Sequence, residues 1–211
     1  MLATMFMFLR GTPFIYQGQE IGLTNIRMNS IDEYDDIQTI DQYKRAIQNG
    51  ISEEIAWESV YRKSRDNGRT PMQWDSSKNA GFTTADKTWL KVNPNYKEVN
   101  VEKSKTEKQS VFAYYQELIK LRKEGKYKEL LVDGLFVADK TEDPCVMAYR
   151  RDTENESMIV YLNYQDKETD VTVPAAYTEK IIGNYNDGCI INGICHMRPY
   201  ECISFYKKQE D

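Results

Sequence analysis

Met1-Leu-Ala-Thr-Met-Phe-Met-Phe-Leu-Arg-Gly-Thr-Pro-Phe-Ile-Tyr-Gln-Gly18 opens the chain and decides how the rest is read. Met1 to Leu9 is almost wholly apolar, and its only early charge, Arg10, follows the apolar run instead of preceding it. A secretory leader needs a cationic start and a small-residue cleavage site, and a Gly-Thr-Pro turn stands where that site would fall. The run is also too short to cross a bilayer. It reads as the last turns of a buried helix, stopped by Gly11, with Pro13 opening the next element. Phe14-Ile15-Tyr16, bounded by turn residues on both sides, predicts a fully buried strand of a parallel sheet. Helix then strand, both apolar throughout, indicates the end of an alternating α/β repeat. A chain that opens inside a core helix is expected to lack what came before.

Outward from this stretch, residues 30 to 62 read as helical, in two pieces separated by Asn49-Gly50. Ser52 is placed to cap the second, with Glu53 and Glu54 facing the positive end of its dipole. From Ser64 to about Gln109 no periodicity is sustained, yet Trp74, Phe82, Trp89 and Tyr96 argue against disorder, so an ordered, functional loop is expected. Ser110 to Glu124 is the clearest helix: Ser110 suits the N-cap, Phe112, Tyr115, Leu118, Ile119 and Arg122 follow three-four spacing, and Gly125 suits the C-terminal cap. Beyond it the period changes to two. Val146 to Arg151, Met158 to Tyr164, Thr169 to Val173 and Tyr200 to Tyr206 read as short strands. Turn signals at Glu142-Asp143-Pro144, Asn184 to Gly188 and Asn192-Gly193 separate them, which predicts an antiparallel sandwich with a boundary near residue 126.

Composition narrows the function classes. The 211 residues carry 28 Lys plus Arg against 33 Asp plus Glu, a net charge of -5 with no basic block. Neither nucleic acid nor an anionic membrane is expected as a partner. The single histidine, His196, excludes a two-histidine metal site and leaves any Ser-His-Asp arrangement dependent on that one residue. Cys145, Cys189, Cys195 and Cys202 contain no C-x2-C knuckle and sit among apolar neighbours, so they read as reduced core thiols of a cytoplasmic protein, although two disulfides are an open alternative.

Two blocks carry a family resemblance. Gly11-Thr-Pro-Phe-Ile-Tyr-Gln-Gly-Gln-Glu-Ile-Gly-Leu-Thr-Asn25 resembles the eighth strand and following loop of glycoside hydrolase family 13 α-glucosidases. Arg65-Asp-Asn-Gly-Arg-Thr-Pro-Met-Gln-Trp-Asp75, then Asn79-Ala-Gly-Phe82 and Val92-Asn-Pro-Asn-Tyr96, resemble the oligo-1,6-glucosidase, dextran glucosidase and trehalose-6-phosphate hydrolase group. The resemblance covers essentially the whole chain. It implies an α/β plus all-β fold: residues 1–125 as the last unit of a (β/α)8 barrel, with the end of helix 7, strand 8 over residues 12–17 and helix 8 with inserted loops. Residues 126–211 would form the C-terminal antiparallel β-sandwich domain. In such barrels the active site lies at the C-terminal ends of the strands, which places Gln17 to Asn25 and the loop around Arg65 at the rim of a sugar pocket.

The departures set limits. The family's nucleophilic Asp, its acid Glu and its Asn-His-Asp motif belong to earlier barrel strands and find no match here. A retaining glycosidase needs two carboxyls about 5 Å apart, so the chain alone is expected to be inactive. Gln19, Gly68 and Thr88 stand where Glu, Ala or Ser, and Pro are usual. By the resemblance, Arg65 grips a hydroxyl of the first glucose, set against the plain alternative of an ion pair with Asp66 or another carboxylate. Arg69, Gln17 and Glu20 are further substrate-binding candidates, Glu20 with a structural hydrogen-bonding role as its alternative. Asp66 and Asn67 read as turn residues. Trp74, Phe82 and Trp89 are candidate stacking platforms for a pyranose, with packing inside the loop the favoured reading. Asp32, Glu33, Asp35 and Asp36 lack the pattern of a calcium loop and read as a solvated helix start. No catalytic residue, metal or cofactor is expected in this stretch. Its expected partners are an α-glucoside disaccharide or oligosaccharide and the missing N-terminal barrel portion. The competing reading is a stand-alone, non-catalytic carbohydrate-binding or assembly module.

Overall fold

Among the described residues, the alternation beyond residue 134 resolves into eight strands. They are β1 (Leu135–Asp139), β2 (Val146–Asp152), β3 (Glu156–Asn163), β4 (Thr169–Thr172), β5 (Glu179–Gly183), β6 (Ile190–Ile191), β7 (Ile194–Met197) and β8 (Cys202–Lys208). Six α-helices accompany them among the described residues: α1 (Leu2–Phe8), α2 (Ile37–Gln48), α3 (Glu53–Lys63), α4 (Val101–Thr106), α5 (Val111–Lys123) and α6 (Lys128–Val132). The structure, a computed structural model, describes residues 1–187 and 190–208. Contacts gather these elements into two units, Met1–Phe14 with Tyr114–Asp211, and Ile15–Ala113. The boundary expected near residue 126 falls inside the first unit.

In the first unit, an antiparallel sheet ordered β1-β2-β3-β8-β5 and a smaller one ordered β4-β7-β6 share a core. Alternate residues of β2, β3 and β8 (Val146, Ala148, Ile159, Tyr161, Ile203 and Phe205) meet Val171, Cys195 and Met197 of the smaller sheet. The intervening residues Tyr149, Met158, Val160 and Leu162 point the other way, onto Met7, Phe8, Leu118, Leu130 and Leu131 of α1, α5 and α6. This two-sided burial follows from the period of two, and each fully buried aliphatic side chain contributes about 1.5–3 kcal/mol. Asn192 and Gly193 both take positive φ, 52° and 79°, as a tight hairpin joining β6 to β7 requires. Cys195 and Cys202 are buried and Cys145 is half-buried, while Cys189 lies outside the described residues.

Two buried arginines fasten the helix ends of this unit. Arg151 donates to the carbonyls of Phe8 (2.6 Å), Leu131 (2.9 Å) and Gly134 (2.6 and 3.1 Å). Arg122 donates to Met7 (2.8 Å), Leu9 (3.2 Å), Leu131 (3.1 Å) and Gly11. These carbonyls sit at the C-terminal ends of α1 and α6, where a helix leaves acceptors unfilled and its dipole favours a cation. Burial pulls the Arg151 guanidinium down to about 10, with neighbouring Arg122 adding to the effect.

The second unit is held by the α2–α3 hairpin and by polar side chains. Ile26, Met28, Tyr34 and Val60 form its apolar cluster, with Trp57 packed edge-on against Tyr34 and Tyr43 at 6.1 and 5.9 Å. Ser52 accepts from Ile55 N, the cap expected for α3. Residues 30–36, expected to be helical, instead make one 3-10 turn at Ile31–Glu33 and then run extended. The carboxylate of Asp66 explains this: it accepts the backbone N–H groups of Asp35 (2.8 Å) and Asp36 (3.0 Å), so the helix begins only at Ile37. The long loop is ordered by short turns. Asn93, Asn95 and Asn100 use their side chains on the backbone or on Thr24.

Phe14-Ile15-Tyr16 is the clearest correction. The segment forms no strand, and Phe14 is 85% and Tyr16 56% exposed. A parallel strand exists only through hydrogen bonds to neighbours, and no parallel strand lies beside this one among the described residues.

Candidate functional site

The expected rim residues all lie on connecting segments of the second unit, where turns rather than ladders fix the backbone. Gly18 takes φ +90°, and a Cβ there would collide with Leu23, so the tight turn after Tyr16 needs glycine. Leu23 N closes that turn on Gly18 O at 2.9 Å. Gln19 accepts from Tyr16 N at 2.9 Å, a bond its carboxamide oxygen makes without the charge of the usual Glu.

Ser64 caps the 3-10 turn Arg65–Gly68 through its hydroxyl and thereby aims two guanidiniums. Arg65 spends Nε (3.0 Å) and one Nη on Asp36 Oδ1. Asp36 is buried, also accepts from Thr39 Oγ1 at 2.7 Å, and is held far below the ordinary carboxylate range, chiefly by the Arg65 bond. The acidic run, expected to be a solvated helix start, is solvated only in part; its last member, Asp36, is a buried anchor. Arg65 itself keeps 66% of its side chain exposed, so the face turned away from Asp36 remains open to a ligand or to water. The plain alternative of an ion pair is present, and with Asp36 instead of Asp66.

Arg69 pairs with the fully buried Asp66 and lies over the Trp89 ring at 5.0 Å. Trp89 Nε1 in turn donates to Asp35 at 2.7 Å. Asp35, Asp36, Arg65, Asp66, Arg69 and Trp89 thus form one connected network. Asp35 and Asp36 were invisible as partners in the sequence because they lie about thirty positions upstream of the arginines, beyond any local spacing rule. The expected packing of the loop aromatics is only partial: Trp74, Phe82 and Trp89 are 50%, 51% and 64% exposed. Trp74 and Phe82 flank three consecutive residues with left-handed φ, Asn79 (56°), Ala80 (54°) and Gly81 (66°).

Gln17 lines a cleft of about 180 Å³ together with Tyr16, Gln19, Thr24, Asn25, Asn67 and Thr70. Gly68 belongs to the same wall; Tyr16 donates to its carbonyl at 3.1 Å, and a Cβ at Gly68 would sit 3.4 Å from the Tyr16 ring. Glu20 does not line this cleft. One of its carboxylate oxygens is buried with no hydrogen-bond partner among the described residues, so its expected structural bonding is not seen there. Gln17 and the Arg65–Arg69 turn are brought into one unit.

Comparison with known proteins bears on this arrangement. Residues 1–134 match the alpha-amylase family, described as "Alpha amylase, catalytic domain". An oligo-1,6-glucosidase of Halalkalibacterium halodurans is 41% identical over 100% of this chain, and one of Bacillus cereus is 43% identical over 99%. The chain spans 38% of the length of each. Among solved structures, a trehalose-6-phosphate hydrolase of Bacillus licheniformis superimposes with a TM-score of 0.88 at 33% identity, over 99% of this chain and 38% of that one.

Proposed function

The chain belongs to the alpha-amylase family, and from that membership we propose that it is the C-terminal portion of a retaining α-glucosidase acting on short α-glucosides such as isomalto-oligosaccharides. The observation that carries this reading is the match of the entire chain to oligo-1,6-glucosidases, of which it spans 38%. On this reading, Ile15–Ala113 derives from the last unit of a (β/α)8 barrel and the paired antiparallel sheets are the C-terminal sandwich. The enzyme works in the cytoplasm.

The chemistry divides accordingly. Retaining hydrolysis needs a nucleophilic carboxylate and an acid/base carboxyl about 5 Å apart across the scissile bond, and both come from the N-terminal portion of the barrel. This chain supplies binding and positioning. Arg65, oriented by its bidentate hold on Asp36, turns its remaining donors to hydroxyls of the first glucose. Arg69 keeps the turn rigid through Asp66 and offers Trp89 as its neighbour. Gln17 contributes its uncommitted carboxamide at the rim. The orphaned oxygen of Glu20 supports a partner for that residue in the rest of the barrel or in the substrate.

Glucose release from isomaltose tests the reading. Residues 1–211 alone release none, whereas the same residues joined to the N-terminal barrel portion of the Bacillus cereus relative do. Hydrolysis by the isolated chain, or a well-folded chimera without activity, overturns the proposal.

A further inference from the structure

The turn between α2 and α3 is fixed by its own backbone. Gly50 takes φ +78°, its N–H bonds Ile47 O, and Ile51 N bonds Ala46 O, both at 3.0 Å. In this left-handed helix ending, the residue after the glycine packs back onto the helix it has left. Ser52 then starts α3 by accepting from Ile55 N at 3.4 Å. Ile51 therefore also stands where the residue before an N-cap packs forward, onto the fourth helical position. The two positions it should cover, Ala46 and Ala56, each offer only a methyl group. Ile51 is left 44% exposed, with Ile47 at 40% and Ile55 at 64% on either side of it in the chain.

The same alanines leave a small hollow between the two helices. It measures about 40 Å³ and is lined by Tyr43, Ala46, Ala56 and Val60 together with polar side chains of both helices. Tyr43 is held there edge-on to Trp57 at 5.9 Å and donates to Glu53 Oε1 at 3.2 Å. The charges on the two arms of the hairpin are opposite. Lys44 and Arg45 are exposed on α2, and Glu53 and Glu54 are exposed on α3. Among the described residues, none of Lys44, Arg45 and Glu54 meets an oppositely charged side chain.

We propose that the α2–α3 hairpin is a self-association surface, which pairs two copies of this chain about a two-fold axis through the turn. The inference goes beyond the α-glucosidase reading and does not depend on it. A two-fold contact must be self-complementary, so that whatever α2 of one copy offers, α3 of the other accepts. The hairpin meets that condition because its basic and acidic arms change places under the rotation. Lys44 and Arg45 of each copy then face Glu54 of the other, which fixes the register of the pair. The three isoleucines cover one another, and the hollow beside the alanines takes the end of one aliphatic side chain, as a knob fills a hole between packed helices. A partner of uniform charge, such as a nucleic acid or an acidic peptide, would meet its own sign on one of the two arms. The surface is small, which makes the pairing weak and reversible.

Sedimentation equilibrium of residues 1–211 tests the inference. The expected result is a reversible monomer–dimer equilibrium with a dissociation constant of about 10–200 µM. Ile55→Asp keeps the fold, since an acidic residue suits the first turn of a helix, and weakens the dimer at least about 10-fold. Arg45→Glu and Glu54→Arg each weaken it by about 3- to 30-fold. The two together return the constant to within about 3-fold of the parent, because each copy then carries both arms reversed. A chain that stays monomeric up to about 500 µM overturns the inference. So does a dimer that Ile55→Asp leaves unchanged, which would put the contact elsewhere, as at the exposed Phe14 and Tyr16. A double variant no tighter than its two single parents overturns it as well. None of these outcomes touches the α-glucosidase reading, which stands or falls on turnover by the chimera.

Discussion

Asp36 shows how much a single carboxylate organises. Buried and gripped by Arg65 and Thr39, it stays ionised far below the ordinary range. An unfolded aspartate titrates near ~3.9, so below that pH the unfolded chain binds the proton that the folded chain refuses. The stabilisation from this pair is fully present above about pH 4 and is lost as pH falls through the folded value. Urea midpoints measured from pH 6 to pH 3 should decline in the parent protein, and Asp36→Asn should show a lower midpoint with a flatter decline. His196 carries the opposite sign. Its Nδ1 lies 2.6 Å from Asp170 and its Nε2 3.4 Å from Glu168, and both carboxylates raise its pKa, Asp170 foremost. That contribution is present below about pH 6.5 and disappears as pH rises through the folded value. Because the chain has one histidine, its imidazole resonance reads out directly. The midpoint should fall toward the ordinary value in Asp170→Asn.

Among the elements, α1 is the one whose membership matters most. Met7 and Phe8 are buried in the core under the larger sheet, and the carbonyls at the helix end receive Arg122 and Arg151. A chain of residues 126–211 keeps the strands but removes both α1 and α5, leaving Tyr149, Met158, Val160 and Leu162 covered only by α6. It should aggregate or expose apolar surface, while residues 1–211 give a cooperative transition. Arg151→Ala tests the same joint more gently, stripping the carbonyls of Phe8 and Gly134 of their side-chain donor and leaving Leu131 only Arg122, at a cost of about 2–4 kcal/mol in urea unfolding. The legibility of the elements follows from the range of the forces that make them. Helix α5 was plain in the sequence because Ser110, the apolar spacing and Gly125 act within a few residues, and Ser110 Oγ does accept from Ala113 N at 3.1 Å. The strands were plain because alternation is local. Residues 14–16 were misread because an apolar run specifies burial without supplying the neighbour a strand needs. Residues 30–36 were misread because Asp66, some thirty positions away, takes the N–H groups a helix would have used.

For the molecule as a whole, the family was readable and the site only in outline. The long string from Arg65 to Asp75 marked the right turn, but nothing near it announced Asp36 as the partner of Arg65. On the α-glucosidase reading proposed above, Arg65→Ala in the chimera with the N-terminal barrel portion should lower kcat/KM for isomaltose by about 10- to 100-fold, the loss of a charged contact. Unchanged kinetics would leave Arg65 as a partner of Asp36 alone. The arginine joint has a further consequence for the order in which this chain is made. Arg151 and its acceptor Phe8 are separated by 143 residues, and ribosomes add about 5–20 residues per second. For roughly 7–30 s the nascent segment around Phe8 therefore waits, apolar and without its clasp, for β2 to emerge.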